Sequence, residues 1–124
     1  MDMLAAQNSL ARFAALSRDA AQERLLALYL RTDGSIIGED RTGPARGSGL
    51  DVPVRHIAAR ALVMGADAIV LAHNHPGGDP HPSKQDLLAT ARLERALFPF
   101  AIRVADHVIV GASGLFSFRA AGLL

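Results

Sequence analysis

The 124-residue chain contains no cysteine, and this excludes disulfide frameworks, thiolate zinc clusters, iron–sulfur sites and a cysteine nucleophile. Any metal must therefore be held by His, Asp or Glu. Excess charge of one sign is also missing, with 13 Lys and Arg against 12 Asp and Glu for a formal net charge of +1. That balance argues against a broad phosphate-tracking surface, which normally shows as clustered basic residues. Long apolar runs are absent too. The strongest, around Leu25–Leu30 and Ala66–Ala72, fall far short of the roughly 20 residues a membrane-spanning helix requires, so no membrane association is expected. The first residues carry Asp2 and no basic stretch followed by an apolar one, so the expected compartment is the cytoplasm.

Half of the residues are apolar and a fifth are charged, the balance of one compact globular domain. A chain of this length buries roughly two-thirds of its unfolded surface and can fold without staples. Leu10, Phe13 and Ala14 recur at helical spacing and predict a short helix ending before Arg18-Asp19. From Glu23 to Arg31, Leu26, Leu28 and Leu30 alternate, and Asp33-Gly34 offers turn chemistry before Ile36-Ile37. A hairpin is expected there, although Leu25–Leu30 alone is also compatible with a helix.

Glycines and a proline between Glu39 and Leu50 read as a loop long enough to be functional, flanked by Arg41, Arg46 and Arg55 as a solvated charge face. Ile57, Ala58, Ala61 and Leu62 predict a helix that Gly65 terminates, and Asp67–Ala72 predicts a buried strand. Ala89, Leu93, Ala96 and Leu97 mark a helix opened by Ser83 and broken by Pro99. Ile102–Val110 and Leu115–Phe118 read as two closing strands. The expected class is α/β, with a mixed sheet.

The chemistry is concentrated between Ala72 and Asp86. Residues two apart on a strand share a face, so His73 and His75 present two imidazoles to one point while Asn74 faces away. The Pro/Gly-rich run Pro76–Pro82 ends the strand, Ser83 suits a helix N-cap, and Asp86 falls in the first helical turn. A capping box is one reading of Ser83 and Asp86. Two imidazoles and a carboxylate also form a three-ligand set suited to a single Zn²⁺ with a fourth position for water. Within the loop, His81 reads as solvent-exposed and Asp79 as a turn former, with an outer contact to the ligands as its alternative. Asp106-His107 points its side chains to opposite faces, so structural pairing is the expected role.

His73-Asn74-His75-Pro76, followed after seven residues from His75 by Ser83-x-x-Asp86, resembles the JAMM signature of the JAB/MPN metalloprotease-like superfamily. The wording of that segment is similar to the RadC-like branch, as are Gly65-Ala66, Asp106–Val110 and Ser117-Phe118-Arg119. The resemblance covers roughly residues 23–122 and implies a single JAB/MPN-type domain over 23–124, after an N-terminal helical segment at 1–22. It further implies a cytidine-deaminase-like mixed β-sheet flanked by helices. His73, His75 and Asp86 become zinc ligands, and Ser83 an outer or oxyanion-stabilising hydroxyl.

Glu39 becomes the carboxylate that takes a proton from the zinc-activated water, with Asp40 as the alternative. The implied activity is zinc-dependent hydrolysis of a peptide or isopeptide bond in a peptide or protein substrate. Two further readings accompany it: a DNA-repair-associated factor that contacts nucleic acid, and a catalytically silent interaction module. The helix-hairpin-helix region that RadC-like proteins carry ahead of this domain is not found in these residues. Leu123-Leu124 and the apolar N-terminal helix are candidate homodimer contacts.

Overall fold

A computed structural model describes residues 2–18, 20–43 and 52–124. In chain order the elements are α1 (Leu4–Ser17), β1 (Leu25–Leu30), β2 (Ile36–Thr42), α2 (Val54–Met64), β3 (Ala68–Asn74), α3 (Lys84–Leu97), β4 (Arg103–Gly111) and β5 (Gly114–Ser117), with one 3-10 turn at Phe98–Phe100. The five strands form one sheet in the order β2-β1-β3-β4-β5. β1 runs antiparallel to both β2 and β3, β3 and β4 are parallel, and β4 and β5 form a hairpin. The mixed sheet expected from the sequence is present, flanked by three helices.

The two faces of the sheet are buried by different helices. α1 packs Ala6, Phe13 and Ala14 against Leu26, Leu28 and Leu30 of β1 and Ala68, Val70 and Ala72 of β3. On the opposite face, Ile57 and Ala61 of α2 and Leu93 and Leu97 of α3 cover Leu25, Ala27, Tyr29, Ile69 and Leu71. Every residue of β1 and β3 is buried, and this explains why both segments read as continuous apolar runs rather than alternating ones. Leu25–Leu30 resolves as the strand. Leu124 packs against the α2–α3 core, whereas Leu123 is exposed.

Two features extend or shift the sequence reading. β2 continues through Thr42, so Glu39 and Asp40 lie within the strand rather than in the loop that follows it. Residues 44–50 of that loop, including Arg46, lie outside the described residues. Pro99 ends α3 but sits within the 3-10 turn, after which Ala101 takes a left-handed conformation. Gly65 closes α2 with φ 67°, the left-handed geometry glycine adopts without penalty. Among the described residues no helix is long and apolar enough to cross a membrane.

The parallel β3–α3–β4 unit positions the chemistry. The carboxyl end of β3 and the amino end of α3 meet at one edge, the place where open α/β sheets hold ligands. The connecting loop is clamped to β4, with His75 N–H donating to Val110 O at 2.8 Å and Ala112 N–H to Gly78 O at 3.1 Å. A side chain at Gly111 would collide with Pro80 and with Gly78 O, at 2.7 and 2.8 Å from its first carbon. Glycine there lets the loop lie flat on the strand end.

Candidate metal centre

His73 is the last β3 residue on the α2–α3 side of the sheet, and His75 follows just past the strand. Asp86 comes to them from α3. His73 Nε2 and His75 Nε2 stand 3.1 Å apart, His73 Nε2 is 3.3 Å from Asp86 Oδ1, and His75 Nε2 is 3.2 Å from Asp86 Oδ2. This cluster is the three-ligand set expected from the sequence. Each imidazole faces a different carboxylate oxygen, and one ligand atom from each of the three residues lies within 4.8 Å of the other two, close enough for the three to share one cation.

Hydrogen bonding on the far side of each imidazole fixes the lone pairs. His75 Nδ1 faces the carbonyl of Asp79 at 2.9 Å and must donate to it, so a neutral His75 keeps Nε2 unprotonated. His73 Nδ1 lies 2.7 Å from His107 Nε2, and His107 Nδ1 lies 2.7 Å from Thr90 Oγ1. Two imidazole nitrogens and a carboxylate thus converge on one point. Such a donor set suits a divalent cation, and its mixture of nitrogen and oxygen fits zinc.

Asp86 also completes a helix cap. Ser83 N–H donates to Asp86 Oδ2 at 2.8 Å while Ser83 Oγ accepts from Asp86 N–H at 3.1 Å, a reciprocal capping box. The cap and the ligand set share Oδ2, which faces both the Ser83 N–H and His75 Nε2, while Oδ1 faces His73 Nε2. Burial alone would raise the pKa of Asp86, but the adjacent His73 imidazole and the Ser83 backbone N–H hold it well below the usual carboxylate range. The carboxylate is therefore ionised at neutral pH.

His107 is fully buried, stacked on Phe118 at a ring-centroid distance of 4.6 Å. Burial pushes its pKa down to about 3, so the ring is neutral at physiological pH. Its neighbour Asp106 accepts from the His107 backbone N–H at 2.7 Å, from Ser117 Oγ at 2.8 Å and from Arg119 N–H at 3.1 Å. The local pattern marks the Asp106-His107 pair as structural and does not show the contact of His107 with the ligand His73. The signal was present as a histidine in a buried strand. The crossover that brings it beside His73 was not.

The structure does not bring Glu39 to this cluster. Glu39 pairs with Leu28, whose side chain belongs to the α1 side of the sheet, and its carboxylate lies 3.4 Å from Arg41 Nε. The pleat puts Glu39 on the face opposite His73. Asp40 pairs with Ala27 on the α2–α3 side, but is held by Arg60 Nε at 3.0 Å and by the Tyr29 hydroxyl at 2.8 Å. His56 Nε2 stands 3.6 Å away. Arg60 leads the influences that hold the Asp40 carboxyl below its ordinary range, and burial followed by the Asp40 contact raises the Tyr29 hydroxyl. The ligand cluster itself contains one carboxylate, that of Asp86.

His81 is exposed and pairs with Asp79, whose Oδ1 also accepts the His81 N–H at 3.0 Å. Asp79 is thus the expected turn former, and its link to the centre runs through its carbonyl rather than its side chain. Beside Asp86 opens a cleft of about 430 Å³ lined by Val52, Val54, Gln85, Leu88, Ala89 and Arg92.

The fold and this motif are those of a known class. The model of the RadC-like JAB domain matches residues 4–123, and the chain belongs to that family. UPF0758 protein YeeS of Escherichia coli is 43% identical over 103 residues, covering 83% of this chain and 70% of that protein. UPF0758 protein YfjY of the same organism is 41% identical over 103 residues, with 83% and 64% covered. UPF0758 protein SPO0054 of Ruegeria pomeroyi is 41% identical over 104 residues, with 82% and 46% covered. The chain thus spans from about half to about two-thirds of the length of these curated relatives.

Proposed function

We propose that this chain is a zinc-dependent hydrolase of the JAMM type, acting on an amide bond in a peptide or protein. The observation that carries the reading is the convergence of His73 Nε2, His75 Nε2 and the Asp86 carboxylate at 3.1 to 3.3 Å, with the outer nitrogens of both imidazoles already engaged. Zinc supplies Lewis-acid polarisation of a carbonyl and brings the pKa of coordinated water towards about 7.

The protein's contribution is to hold the donors rigidly and to shape the approach. Val52, Val54, Leu88 and Ala89 offer an apolar wall beside Asp86, and Gln85 and Arg92 add hydrogen-bond donors suited to the backbone or a carboxylate of an extended peptide. Ser83, bonded to Asp86 in the helix cap, is the hydroxyl to which this reading gives the role of opposing charge that develops on a carbonyl oxygen. Proton transfer is the role proposed for the β2 carboxylates, Glu39 or Asp40, and requires a change in how the end of that strand presents them.

A second reading, a domain that holds a metal and binds partners without hydrolysis, is favoured by the position of Glu39 across the sheet from the ligands. Elemental analysis of purified, untagged protein tests the first step for both. Near-stoichiometric zinc lost in His75→Ala and Asp86→Ala supports the centre; no zinc in wild type after reconstitution refutes it. Screening the zinc-loaded protein against peptide libraries, with His75→Ala as the blank, then separates hydrolase from binding module.

A further inference from the structure

We infer that His107 and Thr90 are positioning residues that fix which nitrogen of His73 carries its proton, and so keep Nε2 free for a metal. This inference rests on the metal-centre reading above. The backbone carbonyl of Asp86 can only accept, and Thr90 Oγ1 donates to it at 2.9 Å.

A hydroxyl has one proton, so Thr90 Oγ1 must receive at its other contact, from His107 Nδ1 at 2.7 Å. A neutral His107 protonated at Nδ1 has a lone pair at Nε2, which takes the proton of His73 Nδ1 at 2.7 Å. His73 Nε2 is left unprotonated, facing His75 and Asp86. The other ligand histidine reaches the same state in one step, through the Asp79 carbonyl.

Each imidazole is thus oriented by a backbone carbonyl, His75 directly and His73 through two side chains. The longer route is closed on itself, because the carbonyl that ends it belongs to the third ligand residue. His73 is only 2% exposed and His107 is 0% exposed, so water has little access with which to substitute for the missing bonds if the chain is cut. The stack of His107 on Phe118, with ring planes 13° apart, holds its nitrogens in line. Partners of this kind commonly alter metal affinity by about 10- to 100-fold when removed.

The test is zinc affinity, by competition with a chromophoric chelator, for wild type, His107→Phe, His107→Gln, Thr90→Val and Thr90→Ser. It is paired with long-range proton–nitrogen NMR of the zinc-loaded wild type. Phenylalanine keeps the stack and removes both nitrogens, so the expected loss is about 10- to 100-fold. Glutamine offers an amide oxygen to His73 Nδ1 and is expected to lose less. Thr90→Ser keeps the hydroxyl and is expected to match wild type, whereas Thr90→Val weakens zinc binding while leaving the fold intact. The spectrum is expected to show His107 protonated at Nδ1. Wild-type affinity in both His107→Phe and Thr90→Val, or a proton on His107 Nε2, overturns the inference and leaves the metal centre standing. Absence of zinc from wild type overturns both.

Discussion

Asp86 Oδ2 accepts the backbone N–H of Ser83 at 2.8 Å and stands 3.2 Å from His75 Nε2, so one oxygen serves a helix cap and a candidate metal ligand together. The two roles separate by substitution. Asp86→Asn retains an oxygen for the Ser83 N–H but loses the charge, and Asp86→Ala loses both. Both variants are expected to lose zinc. Both variants should lower the stability of the metal-free protein, because each loses a carboxylate that the fold holds ionised, and the alanine variant should lose about 1 kcal/mol more with the cap. Urea unfolding beside metal analysis checks this, and equal destabilisation by both variants would contradict the division of labour.

Ser83→Ala tests whether the hydroxyl does more than cap α3. As a cap its loss costs about 1 kcal/mol. As an oxyanion donor its loss lowers kcat by about 10²- to 10³-fold with zinc content unchanged. The expected outcome is the stability loss with retained zinc, and kcat against a cleaved peptide then decides whether the second role exists. Zinc loss in this variant would instead mean that the cap positions Asp86.

The triad was legible in the sequence because each part of it is local. Strand alternation puts His73 and His75 on one face, and the Ser83 cap puts Asp86 in a defined turn. Glu39 was not legible in the same way, because its face depends on a bulge. Leu30 pairs with Ile36 while Tyr29 pairs with Gly38, so one extra residue shifts the register of β2, and a one-residue shift exchanges the faces of every side chain beyond it. His107 failed for a longer-range reason. Its placement depends on a parallel crossover and on a second irregularity, between Ile69 and Val70, neither of which leaves a mark in the local pattern.

Asn74, between the two histidines, points to the other face and ties the α1–β1 connection to β3. Its side-chain oxygen accepts from Arg24 N–H at 2.7 Å, and its amide donates to Ser17 O and Gln22 O at 3.3 and 3.1 Å. Asn74→Ala leaves buried backbone groups without partners, and the expected cost is about 1–3 kcal/mol. Zinc stoichiometry is expected to be unchanged, because the side chain lies across the sheet from the ligands. Denaturant unfolding with metal analysis checks both parts, and zinc loss without destabilisation would contradict this placement.

The two β2 carboxylates are expected to differ in acid. Asp40, held by Arg60 and Tyr29, has its pKa lowered in the fold from the ordinary 3.8, so the folded protein binds this proton less readily than the unfolded chain. Its contribution to stability is therefore fully present above about pH 4 and fades as pH falls through the lowered value. Asp40→Asn should destabilise the protein at pH 7, and the gap to wild type should narrow as pH falls from 4 towards 3. Glu39→Gln removes only an exposed contact with Arg41 and is expected to stay within about 1 kcal/mol of wild type at pH 7. Urea unfolding from pH 7 to 3 checks the pair. A gap for Asp40→Asn that widens in acid would reverse the sign and show that the Arg60 contact does not govern this carboxylate.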